Sequence, residues 1–197
     1  MLEIKRSGVS LFFVLLLSNT VMSADKLGTA DVRQILENRV RVVQKLAGEK
    51  SVIDAVNKQN AAHLKMEDVM VRDETWKASG PEEPFKQNLL KTQAGRLLTL
   101  TVDNSSAVYS EAMIIDRNGV IVSAYPPSSD YFQGDEDKYI TPFLWGDVYY
   151  GPLEFDESSQ SKSAQLGVPI KNEHDQIIGV LVVGLRETYL RARIKGY

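Results

Sequence analysis

The stretch that decides the fold is VYSEAMIIDRNGVIVSAY, which runs from Val108 to Tyr125. Its residues alternate in character over two short runs, 108–115 and 119–125, as in strands with one buried face. Asp116-Arg117-Asn118-Gly119 joins the two runs, and Asn-Gly tolerates the positive φ angles that a tight turn requires. The stretch therefore predicts an antiparallel β-hairpin.

Three more strand-like runs follow, at 148–157, 163–172 and 176–187. The polar residues Asn172 to Asp175 separate the last two runs, so these runs predict a second antiparallel hairpin. Five strands in this order, preceded by helices, predict an α+β fold.

Helical periodicity dominates the chain before the first hairpin. Residues 29–48 place apolar side chains at spacings of three and four, with Thr29 as the cap and Gly48 at the end. Further helix is predicted from Ser51 to about Leu64 and over residues 84–104. The intervening segment, Met66 to Pro84, is polar and is predicted to be broken, with Trp76 docking it onto the body.

Composition narrows the possible functions. The chain has 197 residues, a net charge of −3 and no cysteine. A mildly acidic chain without a basic block argues against a nucleic-acid partner. The absence of cysteine excludes thiol nucleophiles and thiolate metal sites. No nucleophile elbow, zinc-protease motif or phosphate loop is present, so we expect neither an enzyme nor a cofactor.

The N-terminus has the layout of a secretory signal. Lys5 and Arg6 precede an apolar run from Leu11 to Leu17, and small residues follow up to Ala24. We expect cleavage near Ser23 or Ala24, with an uncleaved anchor as the alternative. The expected mature chain, residues 25–197, is a single periplasmic domain with a helical part at 28–105 and a sheet part at 106–190.

The segment SSDYFQGDEDKYITPFLW, Ser128 to Trp145, has an unusual composition for a loop. It carries five aromatic residues, four acids and one lysine around a single glycine. One interpretation is a ligand pocket walled by rings. The other is a structural network in which Asp130, Asp135 and Lys138 fix the loop; the sequence leaves both open.

This loop also carries a resemblance to a known family. Residues Ser129 to Tyr139 resemble the last eleven positions of the pattern T-S-D-Y-W-Q-G-D-E-A-K-W of stand-alone exported PDC/Cache sensor domains, which are extracytoplasmic and PAS-like. Asn57 to Asn60 and Asp73 to Trp76 are similar to two further landmarks of that group. The resemblance implies a five-stranded antiparallel sheet with long N-terminal helices on one face. It also implies a small-molecule pocket under the loop 126–147, for a carboxylate or an amino-acid-like metabolite.

The predicted ligand-binding residues lie in and beside this loop. Aromatic rings would wall the pocket, the lysine would pair with a ligand carboxylate, and Asp130 or Asp135 would hold a ligand ammonium. The acids lack the D-x-D-x-D-G layout of a calcium loop, so no metal site is predicted. The candidate residues are Tyr125, Asp130, Tyr131, Gln133, Asp135, Lys138, Tyr139 and Trp145.

The predicted function is a periplasmic sensor-type domain that binds a small polar metabolite. Because no second membrane span follows, we expect a membrane partner to relay the signal. A homodimer through helix 29–48 is possible, but the same apolar stripe would serve to pack on the chain's own sheet. The alternative function is a protein-interaction module without a small ligand, in which Tyr131, Tyr139 and Trp145 would form an exposed patch rather than converge on a cavity.

Overall fold

The computed structural model describes residues 27–156 and 159–196, so the predicted signal sequence at 1–24 lies outside the described residues. Within these ranges, no helix is both long and apolar enough to span a bilayer. The helices are α1 Thr29–Glu37, α2 Val40–Ala47, α3 Lys50–Ala61, α4 Met66–Ala78, α5 Pro84–Leu90, α6 Gln93–Asn104, α7 Asp137–Trp145 and α8 Glu187–Ile194. The strands are β1 Tyr109–Asp116, β2 Ile121–Tyr125, β3 Tyr149–Asp156, β4 Ser161–Lys171 and β5 Ile177–Arg186.

The strands form one antiparallel sheet in the order β2-β1-β5-β4-β3. Both predicted hairpins are confirmed. In the first turn, one carboxylate oxygen of Asp116 accepts hydrogen bonds from the backbone N–H groups of Asn118 and Val120. Gly119 takes a φ of 77° there, which explains why the turn needs a glycine. The predicted α+β, PAS-like sheet is therefore confirmed.

Successive side chains of β1 point to opposite faces of the sheet, and each face carries its own hydrophobic core. Ala112 and Ile114 pack with apolar side chains of α1, α2, α3 and α6 on one face of the sheet. Met113 and Ile115 point to the other face, where they pack with residues of α4, α7 and the long loop. Both faces are therefore covered, which accounts for the complete burial of β1.

Two of the predicted helices are interrupted. The helix predicted over 29–48 breaks at Asn38 and Arg39, and Gly28 rather than Thr29 occupies its N-cap position. The helix predicted over 84–104 breaks before α6, where the Thr92 hydroxyl accepts the N–H of Gly95 and donates to the carbonyl of Leu89.

The segment Met66 to Pro84 was predicted to be broken, and this prediction is wrong for most of its length. Residues Met66–Ala78 form α4. Only Val69, Asp73 and Trp76 are buried, at helical spacings of four and three. The remaining residues are polar or exposed, so the periodic apolar signal is weak, and burial of this one narrow face stabilises the helix.

The apolar stripe of helix 29–48, which is one candidate for a dimer seam, packs within the molecule. Val32, Leu36 and Val43 are buried in the core against the sheet. Val42 remains half exposed on the outer side of α2. The stripe therefore packs on the chain's own sheet.

Gly119 offers a test of the hairpin turn. A Cβ at this position would lie 2.3 Å from the Cα of Gly134 in the long loop. Gly119→Ala should therefore lower the free energy of unfolding by about 3 kcal/mol or more, through both positive φ and steric overlap with backbone. Urea unfolding measures the change.

Gly146→Ala is the matched control, because Gly146 also has a positive φ, of 72°, but its nearest neighbour is a side-chain atom at 3.5 Å. It should cost only the conformational strain, about 1–2 kcal/mol. If Gly119→Ala and Gly146→Ala lower the unfolding free energy equally, the first hairpin turn does not pack tightly on the long loop at Gly134.

Candidate functional site

The long loop after β2 is anchored by a carboxylate of α4. Asp73 is 4% exposed, and its Oδ1 accepts the backbone N–H groups of Tyr131 at 2.8 Å and Phe132 at 3.0 Å. Its Oδ2 pairs with Lys77 Nζ at 2.6 Å. Burial raises the pKa of Asp73, but the hydrogen bonds from Lys77 and from the two backbone groups outweigh burial, and the pKa is lowered overall.

Trp76, one helical turn further, makes the second attachment. Its indole Nε1 donates to the carbonyl of Ser128 at 2.7 Å, and its ring packs on Tyr131 with centroids 5.4 Å apart. Phe85 meets both rings edge-on. Burial raises the pKa of Tyr131 to about 12. Tyr131 is therefore part of the packed interior.

Gln133 ties the loop to the first hairpin. Its backbone N–H donates to the carbonyl of Gly119 at 2.7 Å, and its side-chain Nε2 donates to the carbonyl of Asp130 at 2.9 Å. The N–H of Ile121 donates to the carbonyl of Tyr131 at 3.0 Å. The first half of the loop motif is thus held in place by hydrogen bonds within the protein.

The second half of the loop begins α7, which lies on the sheet. Tyr139 stacks on Phe143 with centroids 5.1 Å apart and donates its hydroxyl to the carbonyl of Arg117 at 2.8 Å. Burial, followed by the charge of Asp116, raises the pKa of Tyr139. Gly167 of β4 allows the close approach of α7, since a Cβ there would lie 2.8 Å from the carbonyl of Lys138.

The remaining predicted residues are dispersed. Tyr125 packs toward the opposite face and donates its hydroxyl to Asp103 of α6 at 2.9 Å. Asp130 lies 3.8 Å from Lys77. Asp135 is exposed, and Trp145 is 71% exposed at the end of α7. Tyr131, Tyr139 and Trp145 therefore neither converge on a cavity nor form one exposed patch.

A cavity of about 300 Å³ opens beside the loop, between the start of α7 and the strands β3 and β4. We call it the loop-side cavity. Of the predicted residues, Lys138 lines it. Ser129 and Glu136 join Lys138 from the loop, and β3 contributes Tyr149, Glu154 and Asp156. Ser163 and Gln165 of β4 complete the polar lining.

Three larger clefts, of about 540 to 580 Å³, lie elsewhere on the surface. One separates α1 from α8, one separates α2 from α6, and one lies between α1 and β3. None of the three is lined by a residue of the loop 126–147. The loop-side cavity is therefore the candidate that corresponds to the sequence prediction.

The floor of the cavity is shaped by an irregularity in the sheet. The register between β3 and β4 shifts between Tyr150 and Leu153, and Gly151 lies inside the shift. A Cβ on Gly151 would approach the ring of Tyr149 and the backbone of Gln165 to between 3.1 and 3.2 Å. Such bulges re-aim side chains near binding sites.

Below the floor lies a buried acid that the sequence-based site did not include. Glu111 of β1 is 1% exposed, and its Oε1 accepts a hydrogen bond from Gln165 Nε2 at 2.8 Å. A charged residue inside the alternating run 108–115 was the available signal. Glu154, Ser163 and Gln165 carried no comparable signal, since polar residues on one face of a strand are ordinary.

Among the described residues that line the cavity, acidic side chains outnumber basic ones. Lys138 Nζ pairs with Glu136 Oε2 at 2.8 Å, and the lysine side chain is only 10% exposed. Burial raises the pKa of the Tyr149 phenol, and the negative charges of Asp137, Glu154 and Glu136 raise it further. Among the described residues, no group of three or more His, Cys, Asp or Glu side chains is placed to hold a metal ion.

Comparison with known proteins identifies the fold class. No protein-family model matches the chain, and no curated protein matches it in sequence. Among solved structures, it is similar to the sensor domain of the V. cholerae histidine kinase DctB, with a TM-score of 0.51 and 12% identity over 83% of this chain and 53% of that one.

Two further structures are similar at lower scores. The ligand-binding domain of the Pseudomonas aeruginosa amino acid chemoreceptor PctC, in complex with GABA, gives a TM-score of 0.48 and 16% identity, covering 84% of this chain and 61% of that one. The E. coli DcuS sensor domain gives a TM-score of 0.41 and 15% identity, covering 75% of this chain and 99% of that one. The chain thus spans only about half of the DctB structure and about three fifths of the PctC structure.

The chain therefore has the fold of a sensor domain. The resemblance to PDC/Cache sensors, predicted from the loop motif, is confirmed as a likeness of fold. At 12% identity the likeness to DctB extends to the fold alone.

Asp73→Asn tests the anchoring of the loop. The amide removes the charge that holds two backbone N–H groups, so the variant should lose about 2–3 kcal/mol of unfolding free energy near neutral pH. The folded-state pKa of Asp73 lies below 3.8, so its contribution is lost as the pH falls through that value. The difference in unfolding free energy between the wild type and the variant should therefore shrink as the pH falls below about 4. Urea unfolding across this range measures it.

Asp130→Asn is the matched control, because Asp130 also faces Lys77 but its carboxylate holds no backbone N–H. Its cost should stay below about 0.5 kcal/mol. A loss in Asp130→Asn as large as that in Asp73→Asn would show that the ion pairs with Lys77, rather than the backbone hydrogen bonds, fix the loop.

Proposed function

We propose that this protein is an exported, periplasmic sensor-type domain that binds a small polar metabolite in the loop-side cavity. The proposal includes removal of residues 1–24 and relay of the signal through a membrane partner. The observation that supports it most directly is Ser163, which is 4% exposed and lines the cavity. None of the described residues forms a hydrogen bond with its hydroxyl. The residue is buried, but its hydroxyl is not one of the fully enclosed oxygens without a partner, so it opens to the cavity, where a ligand or water can bind it.

The size and walls of the cavity agree with this function. A volume of about 300 Å³ lies at the lower end of the range for small-molecule sites, which suits a metabolite of amino-acid size. The wall combines two rings, Tyr149 and Phe155, with charged groups of both signs. Rings cover apolar parts of a ligand, and the charged groups orient it.

Ligand binding in the cavity can change the protein surface through α7. Lys138 and Glu136 stand at the start of α7, so a ligand that contacts either residue displaces or fixes that helix. The far end of α7 presents Leu144 and Trp145, which are 65% and 71% exposed. We propose that a membrane partner reads the position of these two side chains.

The alternative function is a protein-interaction module without a small ligand. The same two exposed side chains favour it, because large apolar residues at a helix end mark contact surfaces. This alternative predicts that Trp145→Ser abolishes association with the partner and that no small molecule stabilises the fold.

A binding screen tests the proposed function. A ligand that binds only the folded protein stabilises it by about 2.7 kcal/mol at a hundredfold excess over Kd. Thermal unfolding of the protein with amines, amino acids and organic acids should therefore show a clear upward shift for one chemical class. Absence of any shift at high concentration of every probe would overturn the proposal.

Lys138→Met tests whether the ligand lies in the loop-side cavity. The substitution keeps the buried stem and removes the ammonium group, so affinity for a ligand that contacts it should change about tenfold, downward for an anionic ligand group and upward for a cationic one. The unfolding free energy should change by less than about 1 kcal/mol, because the partner Glu136 is partly solvated. Calorimetric titration and urea unfolding measure the two effects; unchanged affinity for the ligand would exclude Lys138 from the site.

A further inference from the structure

We propose that the ligand of the loop-side cavity bears an ammonium group, which Glu154 and Ser163 receive at the edge of the sheet. This inference rests on the proposed function, since it names the chemistry of the same site. It assigns the recognition of charge to β3 and β4 rather than to Lys138, Asp130 or Asp135.

The two residues are placed together by strand pairing. Glu154 and Ser163 stand directly opposite each other in the antiparallel register of β3 and β4. Their Cβ atoms are therefore about 5 Å apart on the same face of the sheet. Both line the cavity. Within the described part of the chain, neither side chain takes part in a hydrogen bond or an ion pair.

The one cation in the lining is already neutralised. Lys138 pairs with Glu136, so its charge is compensated before a ligand arrives. Glu154 and Asp156 add two further carboxylates to the same wall. Asp156 also accepts hydrogen bonds from the N–H and hydroxyl of Ser159.

The uncharged side chain of Gln165, in the lining of the cavity, also favours a ligand group that donates hydrogen bonds. The amide nitrogen of Gln165 is turned inward, where it donates to Glu111 Oε1 at 2.8 Å. The amide oxygen of Gln165 is thereby left to the cavity as an acceptor. The negative charges that raise the pKa of Tyr149 act on the same space.

These groups together select against a ligand that carries only carboxylates. Such a ligand would face the carboxylates of Glu154 and Asp156, whereas an ammonium group meets two carboxylates, an amide oxygen and a serine hydroxyl. The rings of Tyr149 and Phe155 add apolar contact for the ligand's carbon chain. The matching ligands are alkyl amines, diamines and amino acids.

The decisive experiment compares matched probes by thermal unfolding and calorimetry on the purified protein. The probes are straight-chain amines and diamines, the common amino acids, and the acids obtained from these by removal of the amino group. We expect binding by amine-bearing probes, with at least about tenfold weaker binding of each hit's desamino counterpart. Equal binding of a hit and its desamino counterpart would overturn the ammonium assignment while the proposed function stands. No binding by any probe would overturn both.

Variants locate the ammonium group. Glu154→Gln keeps the shape of the side chain and removes its charge, so affinity for the amine hit should fall about tenfold, and the dependence of affinity on added salt should weaken. Glu173→Gln is the matched control, because Glu173 is an exposed acid in the turn between β4 and β5 and does not line the cavity. Unchanged affinity in Glu154→Gln, in a variant that unfolds like the wild type, would overturn the assignment.

Discussion

The carboxylate of Asp73 is the constraint on which the arrangement of the loop depends. One oxygen receives two consecutive backbone N–H groups, and the other receives Lys77. Consecutive N–H groups of an extended chain do not ordinarily converge, so the carboxylate selects one local conformation for Tyr131 and Phe132. The rest of the loop is built outward from these two residues, because Gln133 then reaches Gly119 and α7 begins four residues later.

This anchoring divides the loop motif into two parts with different roles. The part from Ser128 to Gln133 is occupied by hydrogen bonds to α4, to the first hairpin and within itself. The part that begins at Glu136 lies against the strands and lines the cavity. The hydrogen-bonded first part therefore positions the second.

The cavity itself arises from the edge of the sheet. β3 pairs only with β4, and the register shift at Gly151 turns its polar side chains over the floor. Glu111 is buried under Gln165, and the hydrogen bond from Gln165 offsets part of the cost of burying its carboxyl group.

The sequence by itself determined the strands, because alternation and the Asn-Gly turn are local signals, and it determined the class of fold through the loop motif. It also brought Lys138 into the predicted site. The helices α4 and α7 were not recognised, since their stability comes from burial of a few side chains, such as Val69 and Tyr139, against a sheet distant in sequence. Only the tertiary structure decided which loop residues turn inward to the core and which line the cavity, because Asp73, Glu111 and Ser163 meet the loop through strand pairing and helix docking. Local sequence cannot encode these encounters, as each depends on the position of residues tens of positions away.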